Sequence, residues 1–302
     1  VKTAQGNSDS GDGTTDFYYT PPTGFLACNS VNLPDTTISP NQSEQATDYF
    51  NTVLYTGDNS TDLAVTGVGF QPDWLWFKAR NLGSNHRLFD TSRGMSSGNQ
   101  ELVNNTNAEG VSNSAGINPT ADGFTFDISV GGTNEPNFTS NYVTWCWKAL
   151  GSGTPSSNTQ GTITSTVQAN TDAGFSIVTY TANNTAGSTI GHGLGKVPKM
   201  VIIKKRSATQ RWFVWHAGDP TEYMYLDGDF AGQANLNQRL GDDSSVILPT
   251  SSLITLGGHD DTNDPSGATY VAYVFAEVDG YSKFGSYTGN GSADGTYVYL
   301  GF

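Results

Sequence analysis

The chain resembles itself, and this internal repeat constrains the fold more than any single residue does. The run Gly69–Arg80 (GFQPDWLWFKAR) aligns with Gly195–Arg206 (GKVPKMVIIKKR) at a spacing of 126 residues, as from Pro72 to Pro198. Further along, Tyr142–Lys148 aligns with Tyr270–Ala276 at a spacing of 128 residues, as from Tyr142 to Tyr270. Self-similarity at a nearly fixed period indicates a duplicated structural unit. The sequence therefore predicts two successive copies of one domain.

A Tyr-Thr turn signature precedes each copy and recurs once more near the end of the chain, at Tyr55, Tyr180 and Tyr287. Between the aligned runs, Leu88–Asp90 also matches Val214–His216. The predicted divisions are an N-terminal extension and end of an upstream β domain (1–50), a first repeat (51–150), a connector (151–175), a second repeat (176–286), and a closing strand or start of a third repeat (287–302). The connector is predicted from its content of Ser, Thr, Gly and Asn.

The composition favours short strands and turns over helices. Only 14% of the residues are charged, 36 are glycine and 12% are aromatic, and the aromatic residues cluster in short apolar runs. No stretch carries a sustained apolar stripe of helical period; the nearest candidate is Asp229–Leu240. We therefore predict an all-β protein of tandem β-sandwich domains, jelly-roll or concanavalin-like, with one or two short helical turns at most.

Tryptophan placement divides the six indoles into two groups. Trp74, Trp76, Trp145 and Trp147 lie in the repeated runs, which read as inner strands, and are predicted to be core residues. Trp212 and Trp215 are harder to assign. Stacking on sugar rings is the alternative role for the tryptophans, but the sequence assigns no ligand-binding residue.

The charge balance excludes one class of partner. A formal net charge of −14 argues against nucleic-acid binding, which uses a basic surface. No apolar run is long enough to span a bilayer, so no membrane insertion is expected.

Cys28 and Cys146 could form one disulfide, but two free thiols are the favoured prediction because Cys146 lies within a strand-like aromatic run.

The residues that could carry chemistry are too weakly patterned to predict a catalytic site, a metal site or a cofactor. Carboxylate pairs such as Asp122 with Asp127, or Asp227 with Asp229, are expected to be turn residues. The acidic run His259–Asp264 could hold Ca²⁺, but it lacks the spacing of an EF-hand loop and is better explained as a turn. The four histidines are isolated, and no Gly-x-Ser-x-Gly motif is present.

The first repeat resembles a known family. The pattern GF-x-P-x-W-x-W-x-K, followed by Leu88–Gly94 (LFDTSRG), Asp122–Phe124 and Tyr142–Lys148, resembles a repeat domain of tail-fibre-like and other virion structural proteins of marine phages. The resemblance covers about residues 50–302, although the second repeat departs from the Phe-Asp-x-x-Arg-Gly motif. Upstream, Thr15–Pro34 resembles the closing strands of a SPRY-type, lectin-like sandwich.

This resemblance implies a non-catalytic structural protein of the virion surface, such as a tail-fibre module for host attachment or particle assembly. Its partners would be other virion proteins and a host cell-surface glycan, and a homo-oligomer, by resemblance a trimer, is expected. A glycan-cleaving tail depolymerase and a purely architectural capsid or tail decoration protein are the alternatives.

Overall fold

The computed structural model describes residues 7–8, 16–17, 36, 38, 42–60, 62–95, 100–111, 116–126 and 136–300. The chain forms two compact units, Val1–Thr37 and Ile38–Phe302. In the first unit, β1 (Asn7–Ser8) and β2 (Asp16–Phe17) pair antiparallel. Most of the segment with the SPRY-type resemblance lies outside the described residues.

The first half of the second unit holds nine strands in two sheets. They are β3 (Phe50–Thr56), β4 (Ala64–Thr66), β5 (Trp74–Ala79), β6 (Arg87–Asp90), β7 (Gln100–Val103), β8 (Gly110–Val111), β9 (Ile117–Thr120), β10 (Gly123–Phe126) and β11 (Asn141–Trp147). A six-stranded sheet has the order β3-β11-β5-β6-β7-β8, and a three-stranded sheet has the order β4-β10-β9. We call the six-stranded sheet the first large sheet.

The second half repeats this arrangement with nine further strands. They are β12 (Ser156–Asn158), β13 (Ser165–Asn170), β14 (Phe175–Thr181), β15 (Ser188–Gly191), β16 (Pro198–Lys205), β17 (Trp212–His216), β18 (Asp219–Tyr225), β19 (Leu253–Leu256) and β20 (Thr269–Ala276). A seven-stranded sheet, the second large sheet, has the order β12-β13-β14-β20-β16-β17-β18, and β15 pairs with β19. Short 3-10 turns lie at Ala46–Asp48 and Leu236–Gln238.

Five strands of each large sheet correspond in order and in pairing. The order β3-β11-β5-β6-β7 of the first recurs as β14-β20-β16-β17-β18 in the second. Trp145 pairs with Trp76 across β11 and β5, and Tyr273 pairs with Ile202 across β20 and β16, which are the positions that the sequence repeat aligns. Equivalent residues of the two repeats can therefore be compared directly.

Three apolar cores separate four layers of strands. One core lies between the first large sheet and the three-stranded sheet and includes Leu75, Phe77 and Phe124. A second lies between the second large sheet and the β15-β19 pair and includes Val201 and Ile254. The third core joins the two large sheets, and its members are Trp74, Leu88, Leu102 and Ala149 from the first repeat or its end, with Phe175, Ile177, Ile202, Trp212, Val214, Val271 and Tyr273 from the second.

A buried asparagine holds the same turn in both repeats. Asn137 accepts a hydrogen bond from the Asp58 N–H at 3.2 Å and donates from Nδ2 to the Ser60 carbonyl at 2.8 Å. Its counterpart Asn263 accepts from Asn183 at 3.0 Å and donates to Thr185 at 2.9 Å.

The middle residue of each turn has a left-handed backbone. Asn59 has φ of 60° and Asn184 has φ of 57°, a conformation that asparagine tolerates better than most residues. Each donates its N–H to the carbonyl of the buried asparagine, Asn137 or Asn263. This turn is the Tyr-Thr signature seen in the sequence, because it directly follows Tyr55 and Tyr180.

The prediction of an all-β protein of tandem β-sandwich type is confirmed, and the described helices are the two 3-10 turns. Among the described residues there is no helix long and apolar enough to cross a membrane. The predicted connector 151–175 differs from the structure, since it contains β12 and β13 of the second large sheet. Residues 287–300 at the predicted third opening contain no strand.

Candidate functional site: an open aromatic face

The first large sheet covers one face of the second through a buried ion pair. Arg93 pairs with Asp90 within the Phe-Asp-x-x-Arg-Gly motif, and both side chains are fully buried. The hydroxyl of Tyr273 in the second repeat donates to the Asp90 carboxylate at 2.7 Å. The Tyr273 ring stacks on Trp74, with ring centroids 4.1 Å apart. The motif therefore joins the two repeats.

The other charged side chain at this contact, Glu109, is paired with arginines of both repeats. Burial alone would lower the pKa of Arg93, but the negative charges of Asp90 and Glu109 raise it, so the guanidinium stays charged. The Glu109 carboxylate also forms an ion pair with Arg206 of the second repeat, with 2.9 Å between Oε2 of Glu109 and Nη2 of Arg206. The first repeat thus contributes the motif residues Asp90 and Arg93 to this contact, and the second repeat contributes Tyr273.

The face of the second large sheet that is covered in this way has a defined set of side chains. It consists of Ile202, Lys204, Trp212, Val271 and Tyr273, all of which are buried. The indole N–H of Trp212 donates to the carbonyls of Val103 and Asn105, at 2.9 and 3.0 Å. Burial lowers the pKa of Lys204 to about 8, although the nearby charge of Asp227 opposes this effect. We call these five residues the covered face.

The described residues cover the equivalent face of the first large sheet only in part, where Trp76 packs against the core between the large sheets. By strand register its positions are Trp76, Lys78, His86, Val143 and Trp145, all of which are half-buried; we call them the open face. Beside Val143, Leu54 on β3 is 62% exposed. Trp76, His86, Trp145 and Trp147 line a depression of about 300 Å³.

His86 presents a donor on the open face. The indole N–H of Trp76 donates to His86 Nδ1 at 2.7 Å, so the proton of the neutral imidazole lies on Nε2. Burial, and then the charge of Lys78, lowers the pKa of His86 below its ordinary value, which keeps the ring neutral. The His86 ring is parallel to that of Trp145, with centroids 6.3 Å apart.

A second apolar cavity of about 300 Å³ is lined by residues of both repeats. Its wall includes Trp147 and Phe50 from the first repeat and Met200, Phe275 and Phe284 from the second. Trp147 and Trp76 line both this cavity and the depression on the open face. Among the described residues that line the two, none is a carboxylate.

These positions correct the sequence analysis of the tryptophans. Trp74 is buried as predicted, but Trp76, Trp145 and Trp147 are only half-buried. The two indoles that the sequence could not assign, Trp212 and Trp215, are 0% and 2% exposed. A strand pattern gives the side of the sheet on which a residue lies, but the neighbouring sheet decides which part of that side is covered.

One member of each carboxylate pair considered from the sequence, Asp122 or Asp227, is held by hydrogen bonds from backbone N–H groups. Asp122 accepts the N–H groups of Gly67 and Gly69 in a turn, at 3.1 and 2.6 Å, and Asp127 lies outside the described residues. Asp227 accepts the Trp212 N–H at 2.8 Å and pairs with Arg211. Asp122 and Asp227 therefore hold backbone in place, and Asp229 is exposed.

Two of the three carboxylates in the acidic run His259–Asp264 pair with cations of the protein. Asp260 pairs with Lys205, and Asp261 pairs with Arg239 at 2.9 Å. The hydroxyl of Tyr225 also donates to Asp261 at 3.1 Å. Within the part of the chain that the structure describes, no three His, Cys, Asp or Glu side chains are arranged to hold a metal ion.

Cys146 is a buried free thiol, and burial raises its pKa to about 12. Its reactivity is low, because the thiolate is the reactive form. Cys28 lies outside the described residues.

Asp73, which the sequence analysis did not single out, is buried and accepts the N–H groups of Ala149 and Gly151, at 2.7 and 2.6 Å. Burial raises the pKa of Asp73, while these bonds act in the opposite direction.

The arrangement defines a class of protein: a tandem β-sandwich whose repeats share a core and leave one aromatic sheet face open. The chain belongs to the DUF7483 family, a domain family of unknown function whose model matches residues 45–302. Neither the curated proteins nor the solved structures include a match.

Proposed function

We propose that this protein is a non-catalytic structural module on the surface of a phage virion, in a tail fibre or another appendage, for host attachment or particle assembly. The observation that carries the proposal is the open face: aromatic side chains on a rigid sheet with no carboxylate among the residues that line it. Such a surface supports binding by contact with apolar and aromatic groups. Its partners are other virion proteins or a host cell-surface glycan.

The geometry favours binding over glycan cleavage. Glycoside hydrolysis uses two carboxyl groups about 5 to 9.5 Å apart on either side of the scissile bond. Of the acidic side chains considered above, Asp122, Asp227, Asp260 and Asp261 are engaged with backbone N–H groups or with cations. A depolymerase would need a free pair beside the aromatic side chains.

The resemblance of Gly69–Lys78, Leu88–Gly94 and Tyr142–Lys148 to virion repeats supports the viral setting. The Leu88–Gly94 motif joins the repeats, so the resemblance lies in residues that build the scaffold. An architecture of stacked sheets with polar, turn-rich rims suits an extracellular particle surface.

Locating the protein on purified particles tests the setting. We expect mass spectrometry to find it in density-purified virions of the phage that encodes it, and antibody-gold particles to label an appendage in electron micrographs. A protein found in infected cells but absent from purified virions would contradict the proposal.

Incubation with polysaccharide from host cells tests the absence of catalysis. We expect no new reducing ends and no fall in polymer mass, with a known depolymerase as the positive control. Release of oligosaccharides by the purified protein would show that the depolymerase alternative is correct.

A further inference from the structure

We propose that the second apolar cavity, the one lined by both repeats, binds the trimethylammonium group of a choline-type compound through its aromatic wall. We call it the inter-repeat cavity. It is distinct from the depression on the open face, although Trp76 and Trp147 line both. The inference goes beyond the proposed function and does not depend on a virion setting.

Aromatic rings from both repeats line the inter-repeat cavity. They are Phe50, Trp74, Trp76 and Trp147 from the first repeat, with Phe175, Phe275, Tyr281 and Phe284 from the second. The ring centroids of Phe50 and Trp147 lie 4.9 Å apart, and those of Phe175 and Phe275 lie 5.0 Å apart. The volume of about 300 Å³ lies at the low end of the range for small-molecule sites. A small head group inside it therefore meets aromatic rings from both repeats.

This wall suits a methylated ammonium better than a primary one. The face of an aromatic ring attracts a cation that lies within about 6 Å of the ring centroid. A primary ammonium brings three N–H donors, which need acceptors when they leave water. The oxygen-bearing side chains of the wall are those of Tyr281 and Ser282. A trimethylammonium group has no N–H, so it enters such a wall without leaving donors unpaired.

Charge complementarity favours a cationic occupant over an anionic one. None of the described residues that line the inter-repeat cavity carries a charged side chain, so no ammonium of the protein occupies the rings. Lys283, which precedes Phe284, pairs with Glu277 at 2.5 Å, so these two charges beside the wall offset each other. The chain has a net charge of −14, which attracts cations from solution and repels anions.

A buried donor in the wall favours an occupant that also carries an oxygen. Trp74 is 1% exposed, and its indole N–H has no hydrogen-bond partner among the described residues. A buried donor without a partner is unfavourable, so an acceptor that reaches it is stabilising. Choline carries a hydroxyl two carbons away from its nitrogen. The unpaired N–H therefore favours a choline-type compound over a tetraalkylammonium ion without oxygen.

Calorimetric titration of the full-length chain with choline tests the proposal. The neutral isostere 3,3-dimethylbutan-1-ol keeps the shape of choline and lacks its charge, whereas ethanolamine keeps the charge and lacks the methyl groups. We expect choline to bind about tenfold more tightly than either compound, because only choline combines a cation with an apolar surface. Tryptophan fluorescence is expected to change on binding, since three indoles line the cavity.

Replacing a ring by an aliphatic side chain locates the site. Phe284→Leu and Phe50→Leu keep apolar volume on the two sides of the wall and each remove one aromatic ring. Each variant is expected to weaken choline binding about threefold to tenfold. Phe230→Leu is the matched control, because Phe230 is 49% exposed and lies outside the cavity, and it is expected to bind choline as the wild type does. Circular dichroism checks that each variant is folded.

Four results would overturn the proposal. They are no binding of choline, equal affinity for choline and its neutral isostere, unchanged affinity in both the Phe284→Leu and the Phe50→Leu variants, and binding to phosphatidylcholine vesicles without binding to free choline. Equal affinities would mean that the cavity selects for apolar shape alone. Binding to vesicles alone would mean that the partner is a lipid surface.

This test and the test of the proposed function fail separately. Loss of choline binding leaves the location on the particle untouched, and absence from purified virions leaves the titration result untouched.

Discussion

Tyr273 and Asp90 form a hydrogen bond inside the core between the large sheets, and this bond is one of the contacts that join the two repeats. The Tyr273 hydroxyl lies 2.7 Å from the carboxylate, and both side chains are fully buried. Burial, the largest cause, raises the pKa of Tyr273 well above its ordinary value, so the phenol stays a donor.

Tyr273→Phe is expected to destabilise the protein by about 1–3 kcal/mol, because it leaves a buried carboxylate with one partner fewer. Urea unfolding measures the change. Tyr287→Phe is the matched control, since Tyr287 is 70% exposed, and is expected to shift stability by less than about 0.5 kcal/mol. Equal stability of the two variants would show that the bond contributes nothing to joining the repeats.

Asp261 gives the second large sheet a dependence on acid. Burial would raise its pKa, but the hydrogen bond from His259 and then the contacts of Arg239 outweigh burial, so the folded pKa lies below the ordinary value of 3.8. A carboxyl whose folded pKa is lowered stabilises the fold above its unfolded pKa. This stabilisation is lost as the pH falls through the folded value.

Asp261→Asn is therefore expected to be less stable than the wild type at pH 6 and to approach the wild type as the pH is lowered below about 4. Urea unfolding at a series of pH values measures the gap between the two proteins, and this difference cancels the titration of other carboxyls. A gap that is constant with pH would mean that the charge of Asp261 does not contribute.

At the scale of the elements, the buried asparagine of each repeat ties the turn after its first core strand to the segment before its last. Asn137→Ala and Asn263→Ala are each expected to cost about 1–3 kcal/mol, because each leaves buried backbone groups without partners. Asn107→Ala, at an exposed position, is the control. A large loss at one asparagine only would show that the turns are not equivalent, and thermal unfolding suffices to see it.

Much of the strand arrangement could be predicted from the sequence. The aligned runs are the paired strands β5 with β11 and β16 with β20, because apolar and aromatic residues bounded by Gly, Pro or Asn favour strands. The asparagine turn was visible only in part, through the tyrosine that precedes it. Asn137 and Asn263 match each other only as single residues outside the aligned runs, so their equivalence is hard to recognise in a sequence that contains many asparagines.

The connector shows where composition misleads. Residues 156–158 and 165–170 form the two outer strands on one side of the second large sheet, and some of their polar side chains are buried: Gln168 is 1% exposed and accepts hydrogen bonds from the hydroxyls of Thr91 and Ser92. Similarly, the open face could not be separated from the covered face by pattern, since Trp145 and Tyr273 have the same alternation. The difference comes from the way one sheet lies over another, which depends on residues far away in sequence.

At the scale of the whole molecule, the shared core makes the two repeats one folding unit. Residues 38–302 form a single compact unit, and Trp74 of the first repeat stacks on Tyr273 of the second. We expect one cooperative unfolding transition, with tryptophan fluorescence and far-ultraviolet circular dichroism changing together.

Trp74→Ala is expected to cost about 3–5 kcal/mol and to separate the transition into two, because it removes the largest first-repeat side chain of the shared core. Phe124→Ala, a buried aromatic position in the core of the first repeat alone, is the control and is expected to destabilise without separating the repeats. Two transitions in the wild type would contradict the shared-core interpretation.

The ion pair of Asp90 and Arg93 occurs in one repeat only, and this gives the stack of sheets a polarity. Two identical halves would contribute the same side chains to their contact, whereas here the first repeat contributes Asp90 and Arg93 and the second contributes Tyr273. The stack of sheets therefore has two chemically different ends.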